Sequence, residues 1–75
     1  MNIAQEVDAR GMNCPLPILK VKKAIATVGE GELIKLIATD PGSVKDMQAF
    51  CSQTGNELVE SNEEGGAYVF LVRKH

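Results

Sequence analysis

The sequence has no tryptophan, one tyrosine, two phenylalanines and one histidine, and each shortage argues against a class of function. A nucleic-acid binder wants a basic surface with exposed aromatics, whereas Tyr68, Phe50 and Phe70 are the whole aromatic supply of a chain with net charge −2. A cysteine protease or acyl transferase needs a histidine base, and the only histidine is the terminal His75. Hydrolysis is therefore not expected. The two cysteines, Cys14 and Cys51, are too far apart in sequence for a C-x-x-C redox pair or a zinc-ligand pair. No apolar run is long enough to span a bilayer. The opening Met1-Asn2-Ile3-Ala4-Gln5-Glu6 turns acidic at once, which predicts no secretory signal and hence a cytoplasmic protein with reduced thiols.

What is present suits one small domain over residues 1–75, near the lower size limit at which a core stabilises a fold unaided. An apolar fraction of 44% argues against disorder. So short a chain has little room for an enclosed substrate pocket. The charges are unevenly placed: Arg10, Lys20, Lys22 and Lys23 lie near Cys14 in sequence, and Glu57, Glu60, Glu63 and Glu64 gather in the second half. Such a layout steers an acidic partner surface toward the Cys14 end.

Six elements are legible. Residues 3–9 read as a strand with Ile3 and Val7 apolar and Gln5 interrupting the alternation. From about Pro15 to Val28 the positions Ile18, Val21, Ile25 and Val28 recur at spacings of three and four, the stripe of an amphipathic helix, and Leu16, Leu19 and Ala24 widen it. After Gly29-Glu30-Gly31, residues 32–39 read as a central strand. Asp40-Pro41-Gly42-Ser43 turns into a second helix, with Ser43 as its cap, Val44, Met47, Phe50 and Cys51 on one face, and Gly55 as its stop. Residues 56–61 and 67–73 are two strands joined by a hairpin loop over 62–66. The order β-α-β-α-β-β predicts an α/β two-layer sandwich, with a mixed four-stranded sheet and both helices packed on one face. The last strand is apolar on both sides, with Val69 and Leu71 on one and Tyr68, Phe70 and Val72 on the other, so the set on the face the helices leave uncovered either forms a partner patch or belongs to a central strand bordered by long side chains.

Proline is at home in the first turn of a helix, so Pro15 and Pro17 mark the start of the first one. With Cys14 as N-cap, Pro15 is N1 and Pro17 is N3, which leaves the Leu16 N–H as the chief backbone donor near the sulfur. The positive end of the helix stabilises a thiolate, and a depressed Cys14 pKa is expected. A disulfide oxidoreductase would carry a second cysteine three residues on, where Pro17 stands. Cys51 lies on an apolar stripe and is expected to be buried. A capping role alone would be better served by Ser, Thr, Asp or Asn. What remains is a thiolate that accepts an atom from one protein and yields it to another.

The block Asp8-Ala9-Arg10-Gly11-Met12-Asn13-Cys14-Pro15-Leu16-Pro17 resembles the TusA/SirA-type sulfur-carrier family, whose hallmark is a Cys-Pro-x-Pro segment at the start of the first helix. The likeness continues through Lys20, Ala24, Thr39-Asp40-Pro41-Gly42-Ser43 and Gly55-Asn56-Glu57-Leu58. It implies a fold similar to the C-terminal domain of bacterial translation initiation factor three. It also implies that Cys14 accepts sulfane sulfur as a persulfide from a cysteine desulfurase or rhodanese-like donor. The sulfur is then relayed to a DsrE-type or other accepting protein, in tRNA 2-thiouridine formation, sulfur oxidation or molybdenum-cofactor maturation. Such a carrier acts with protein partners rather than as a stand-alone enzyme. It calls for no cofactor, no metal, no direct nucleic acid and no membrane, and is expected to be a monomer when free. A persulfide anion is a negative group that the helix start and Arg10 or Lys20 could hold. Gly11 would let the loop turn without a side chain beside the sulfur. Asp8 and Arg10 either bond each other or the loop backbone, or are solvated charges. Two rival readings are a regulatory or RNA-interacting module on the same fold and a thiol redox sensor working through sulfenic acid.

Overall fold

A computed structural model describes residues 3–13 and 15–75. The elements run β1 (Ile3–Ala9), α1 (Leu16–Ile25), β2 (Leu33–Ala38), α2 (Ser43–Thr54), β3 (Glu57–Glu64) and β4 (Ala67–Arg73). The sheet order is β1-β2-β4-β3, with β1 parallel to β2 and the other two pairings antiparallel. This is the expected mixed four-stranded sheet. One parallel pair is needed because β1 and β2 are joined through a helix, whereas β3 and β4 meet through a tight turn.

The core lies between the helices and one sheet face. Val7 and Ala9 of β1, Ile34 and Leu36 of β2, and Phe70 and Val72 of β4 meet Val21, Ala24 and Ile25 of α1 and Met47, Phe50 and Cys51 of α2. The period-two alternation of each strand delivers these residues to one side. Central β4 places Phe70 and Val72 in this core and leaves Val69 and Leu71 half-buried on the opposite face. Burying roughly a dozen apolar side chains at about 1.5–3 kcal/mol each is the main favourable term available to so short a chain.

Helix α1 departs from the expected register. Pro15 is its N-cap (φ −94°, ψ 18°) with no side-chain capping bond, so Pro17 is the second helical residue rather than the third. Both prolines still occupy the first turn, where a missing N–H costs nothing. Cys14, the expected N-cap, lies outside the described residues. Pro17 is fully buried, whereas Leu16 and Leu19, expected to widen the apolar stripe, are 49% and 47% exposed. The helix ends at Ile25 instead of Val28, because Thr27 and Val28 donate to carbonyls only three residues back and the Thr27 hydroxyl also donates to Ala24 O. The same hydroxyl lies 2.8 Å from Gln5 Oε1, which ties the polar interruption of β1 to the end of α1.

Two further boundaries move. Ser43 is the first residue of α2 rather than its cap. Gly42 is the N-cap, and the backbone entering the helix is organised by Asp40, which accepts from Gly42 N through Oδ1 (3.0 Å) and from Ser43 N through its carbonyl (3.0 Å). Aspartate two residues ahead of an N–H makes this local turn as readily as serine makes a cap. Gly55 stops α2 as expected, at φ 80° with its N–H on Cys51 O. Strand β3 runs on to Glu64, and the hairpin loop is only Gly65-Gly66, at φ 55° and 84°. Two successive positive φ values are what a two-residue turn between twisted strands requires. Ser61 to Glu64 are exposed residues of an edge strand, so their polarity does not exclude them from the sheet.

Candidate functional site

The segment that carries Cys14 leaves the C-terminal end of β1 after Ala9 and enters α1 at Leu16, with six residues between. Its part before Cys14, residues 10–13, is tied down at each step. Arg10 donates through its backbone N (3.1 Å) and Nε (2.9 Å) to Asp8 Oδ1, and through a terminal guanidinium nitrogen (2.9 Å) to Asp8 Oδ2. These Arg10 hydrogen bonds, aided by its charge, hold the Asp8 carboxyl down at about 2 and raise the guanidinium in return. Of the two readings open for this pair, the structure adopts the bonded one, both with each other and with the Arg10 backbone. Lys20, from the second turn of α1, reaches back to Asp8 O at 3.3 Å. Both cations expected near the sulfur are therefore gathered on Asp8.

Beyond Arg10, Gly11 takes φ 80° and donates its N–H to Thr39 Oγ1 at 2.9 Å. Met12 donates to Ala9 O at 3.2 Å, and its side chain packs against the core. Leu16, expected as the chief donor toward the sulfur, instead gives its N–H to Asn13 O at 2.9 Å. That amide is one of the helix-start donors without an intrahelical partner, and a carbonyl three residues back satisfies it. In sequence Cys14 stands between Asn13 and the N-cap Pro15, so the residues on either side of it are fixed.

Leu16 and Leu19 project outward just past this junction. Next to them a shallow groove of about 300 Å³ runs between the helices, lined by Pro15, Ile18, Leu19, Lys22, Asp46 and Phe50 among others. A second groove of about 260 Å³ lies between β1 and α1, where Asp8 and Lys20 face each other. Cys51 is 6% exposed within the core, as expected, and burial pushes its thiol pKa up. Among the described residues no group of three His, Cys, Asp or Glu could hold a metal ion, and no helix is long and apolar enough to cross a membrane.

Thr39 and the outward leucines are the features that sequence reasoning missed. No local pattern marks Thr39; its place follows from the pairing, since β1 and β2 are parallel and pair as far as Ala9 and Ala38, so that the residues following each strand emerge side by side.

Fold and junction together define a class: a two-layer α/β protein that presents a loop-to-helix junction at its surface. The family model described as "Sulfurtransferase TusA" matches residues 5–74. The sulfur carrier protein TusA of Allochromatium vinosum is 60% identical over 93% of this chain and 92% of its own length. That of Pseudomonas aeruginosa is 43% identical over 91% and 86%. A SirA-like protein from Desulfitobacterium hafniense, known from a crystal structure, superposes with a TM-score of 0.82 at 25% identity, over 92% of this chain and 95% of that one. The chain belongs to the TusA/SirA-type sulfur-carrier family. It is a sulfur carrier, a role that implies protein partners on both sides of the transfer.

Proposed function

We propose that Cys14 carries the sulfur as a persulfide. The supporting observation is the junction itself: bonds at Arg10, Gly11, Met12 and Leu16 fix the chain on both sides of Cys14, at a surface bordered by the exposed Leu16 and Leu19. The donor is a protein persulfide, formed on a cysteine desulfurase or rhodanese-like protein. The Cys14 thiolate attacks its outer sulfur, a new S–S bond forms to Cys14, and the donor's inner sulfur departs as a thiolate with the electron pair of the broken bond. Transfer onward repeats the step, with an acceptor cysteine attacking the outer sulfur and Cys14 leaving as thiolate. The N-terminal end of α1 favours the negative charge in both resting states. A depressed Cys14 pKa serves the attack and the departure alike.

The acceptor is a cytoplasmic protein of DsrE or similar type, serving tRNA 2-thiouridine formation or dissimilatory sulfur metabolism. Thiol exchange of this kind asks for no cofactor or metal, only for two docked proteins. Incubation with a cysteine desulfurase and free cysteine, followed by intact-mass measurement, tests the assignment. Wild type gains one sulfur atom that a reductant removes, and Cys14→Ser gains none. A wild type that gains no sulfur, or a Cys14→Ser variant that gains it equally, refutes it. Oxidation of Cys14 by peroxide without any sulfur loading would favour a redox sensor instead.

A further inference from the structure

Among the described residues of the Cys14 segment, the hydrogen bond from Gly11 N–H to Thr39 Oγ1 is the one that crosses from a distant part of the chain, 28 residues away. The bond from Met12 to Ala9 and that from Leu16 to Asn13 stay within the segment and its flanking elements. Those of Arg10 and Lys20 end on Asp8, upstream of Gly11.

Gly11 sits at φ 80°, and a Cβ built there would meet nothing within 4 Å. Its conformation is therefore not imposed by crowding. The turn closed by Met12 N–H on Ala9 O calls for a positive φ at its third residue, and glycine supplies it without strain. The Thr39 hydroxyl, by accepting the Gly11 N–H, pins that turn to the end of β2. Thr39 itself is exposed and follows the last residue of β2, at the end of a strand paired directly with β1. An exposed neutral hydrogen bond adds little to global stability. Its effect falls on where the next residues go, and these are Met12, Asn13 and Cys14.

We infer that Thr39 is a positioning residue for the Cys14 thiol: by fixing Gly11 it holds the approach to Cys14 against the start of α1. The inference rests on the persulfide reading above insofar as it concerns sulfur loading. Attack by one protein-bound sulfur on another depends on placement within a few tenths of an ångström, and a wandering thiol loses both alignment and the field of the helix end.

Thr39→Val keeps the branched shape and removes the acceptor; Thr39→Ser keeps the acceptor. Loading by a cysteine desulfurase is compared for the two variants and wild type, together with the pH dependence of Cys14 alkylation by iodoacetamide, read by peptide mass. Three results are expected. Thr39→Val loads about five-fold more slowly, the rate equivalent of one net hydrogen bond of about 1 kcal/mol. Its alkylation midpoint moves to higher pH. Thr39→Ser restores both. Failure of any of the three overturns the inference, including a Thr39→Val variant that is merely less stable but loads and alkylates as wild type. A wild type that does not load at all removes the carrier reading alone, and the midpoint shift with its rescue by serine then decides the role of Thr39.

Discussion

Arg10 and Asp8 form a closed unit in which one guanidinium and one backbone N–H saturate both carboxylate oxygens, at 2.9 to 3.1 Å. The unit is exposed, 61% for Arg10 and 56% for Asp8, so solvent screens its charges and its value lies in the shape it gives the chain leaving β1. The carboxyl is depressed from 3.8 to about 2. A depressed folded-state pKa stabilises above the unfolded value, and the contribution is lost as pH falls through the folded one. The Asp8→Asn variant should therefore melt slightly below wild type at every pH above about 5, with the gap closing between 3.8 and about 2. Paired thermal melts across this range check it, and a gap that persists at the acid end would assign the effect to something other than the carboxylate.

Gly11→Ala isolates backbone strain from steric conflict. The added methyl would enter open space, yet φ 80° is costly for any residue with a Cβ. A loss of about 1–2 kcal/mol in urea unfolding is expected, with no change in slope. Gly11→Asn, whose side chain tolerates the left-handed region better, should lose less. Equal midpoints for wild type and Gly11→Ala would mean that the segment relaxes to another conformation at no cost.

Cys51 and Cys14 should part company under substitution. Cys51 packs in the core on the inner face of α2, and its raised pKa comes from burial. Replacing it by serine places a hydroxyl among apolar side chains and should cost about 1–3 kcal/mol. Sulfur loading per folded molecule should stay at the wild-type level. Native-state alkylation should label Cys14 at once and Cys51 only on unfolding. Impaired loading in folded Cys51→Ser would give the core cysteine a part in the transfer.

Much of this architecture was legible in the sequence because each strand shows a period and each turn a reason. Strands β1 and β4 occupy the expected residues: Gly11 follows close on the end of β1, Gly65 and Gly66 precede β4, and the apolar residues of each mark its span. The end of α1 was not legible: Val28 continues the apolar spacing, yet the Thr27 side chain bonds Ala24 O and the chain leaves the helix before reaching it. Strand β3 was read short because polar residues look like loop, whereas an edge strand can expose them. The junction was recognisable from its cysteine and two prolines. The part of Thr39 was hidden because it depends on which strands are neighbours, a property of the register between β1 and β2 that no local pattern encodes.

The same limit explains Leu16 and Leu19, which periodicity assigns to the apolar stripe and the fold leaves outside. A two-layer domain covers one side of each helix, and α1 turns Pro17, Val21, Ala24 and Ile25 inward. Its opposite side begins with two leucines, 49% and 47% exposed, one turn from Cys14 and beside the groove between the helices. Exposed leucines contribute little to folding, so Leu16→Ala with Leu19→Ala should shift stability by less than about 0.5 kcal/mol apiece. Against a protein donor they should matter more: an apolar anchor at an interface commonly accounts for about 1–2 kcal/mol, or roughly ten-fold in affinity. Loading by a desulfurase should therefore weaken about ten-fold for the double variant, whereas loading by a small inorganic polysulfide, which needs no docking, should match wild type. Equal losses with both donors would mean that the leucines act on the thiol itself; no loss with either would mean that partners approach Cys14 from another side.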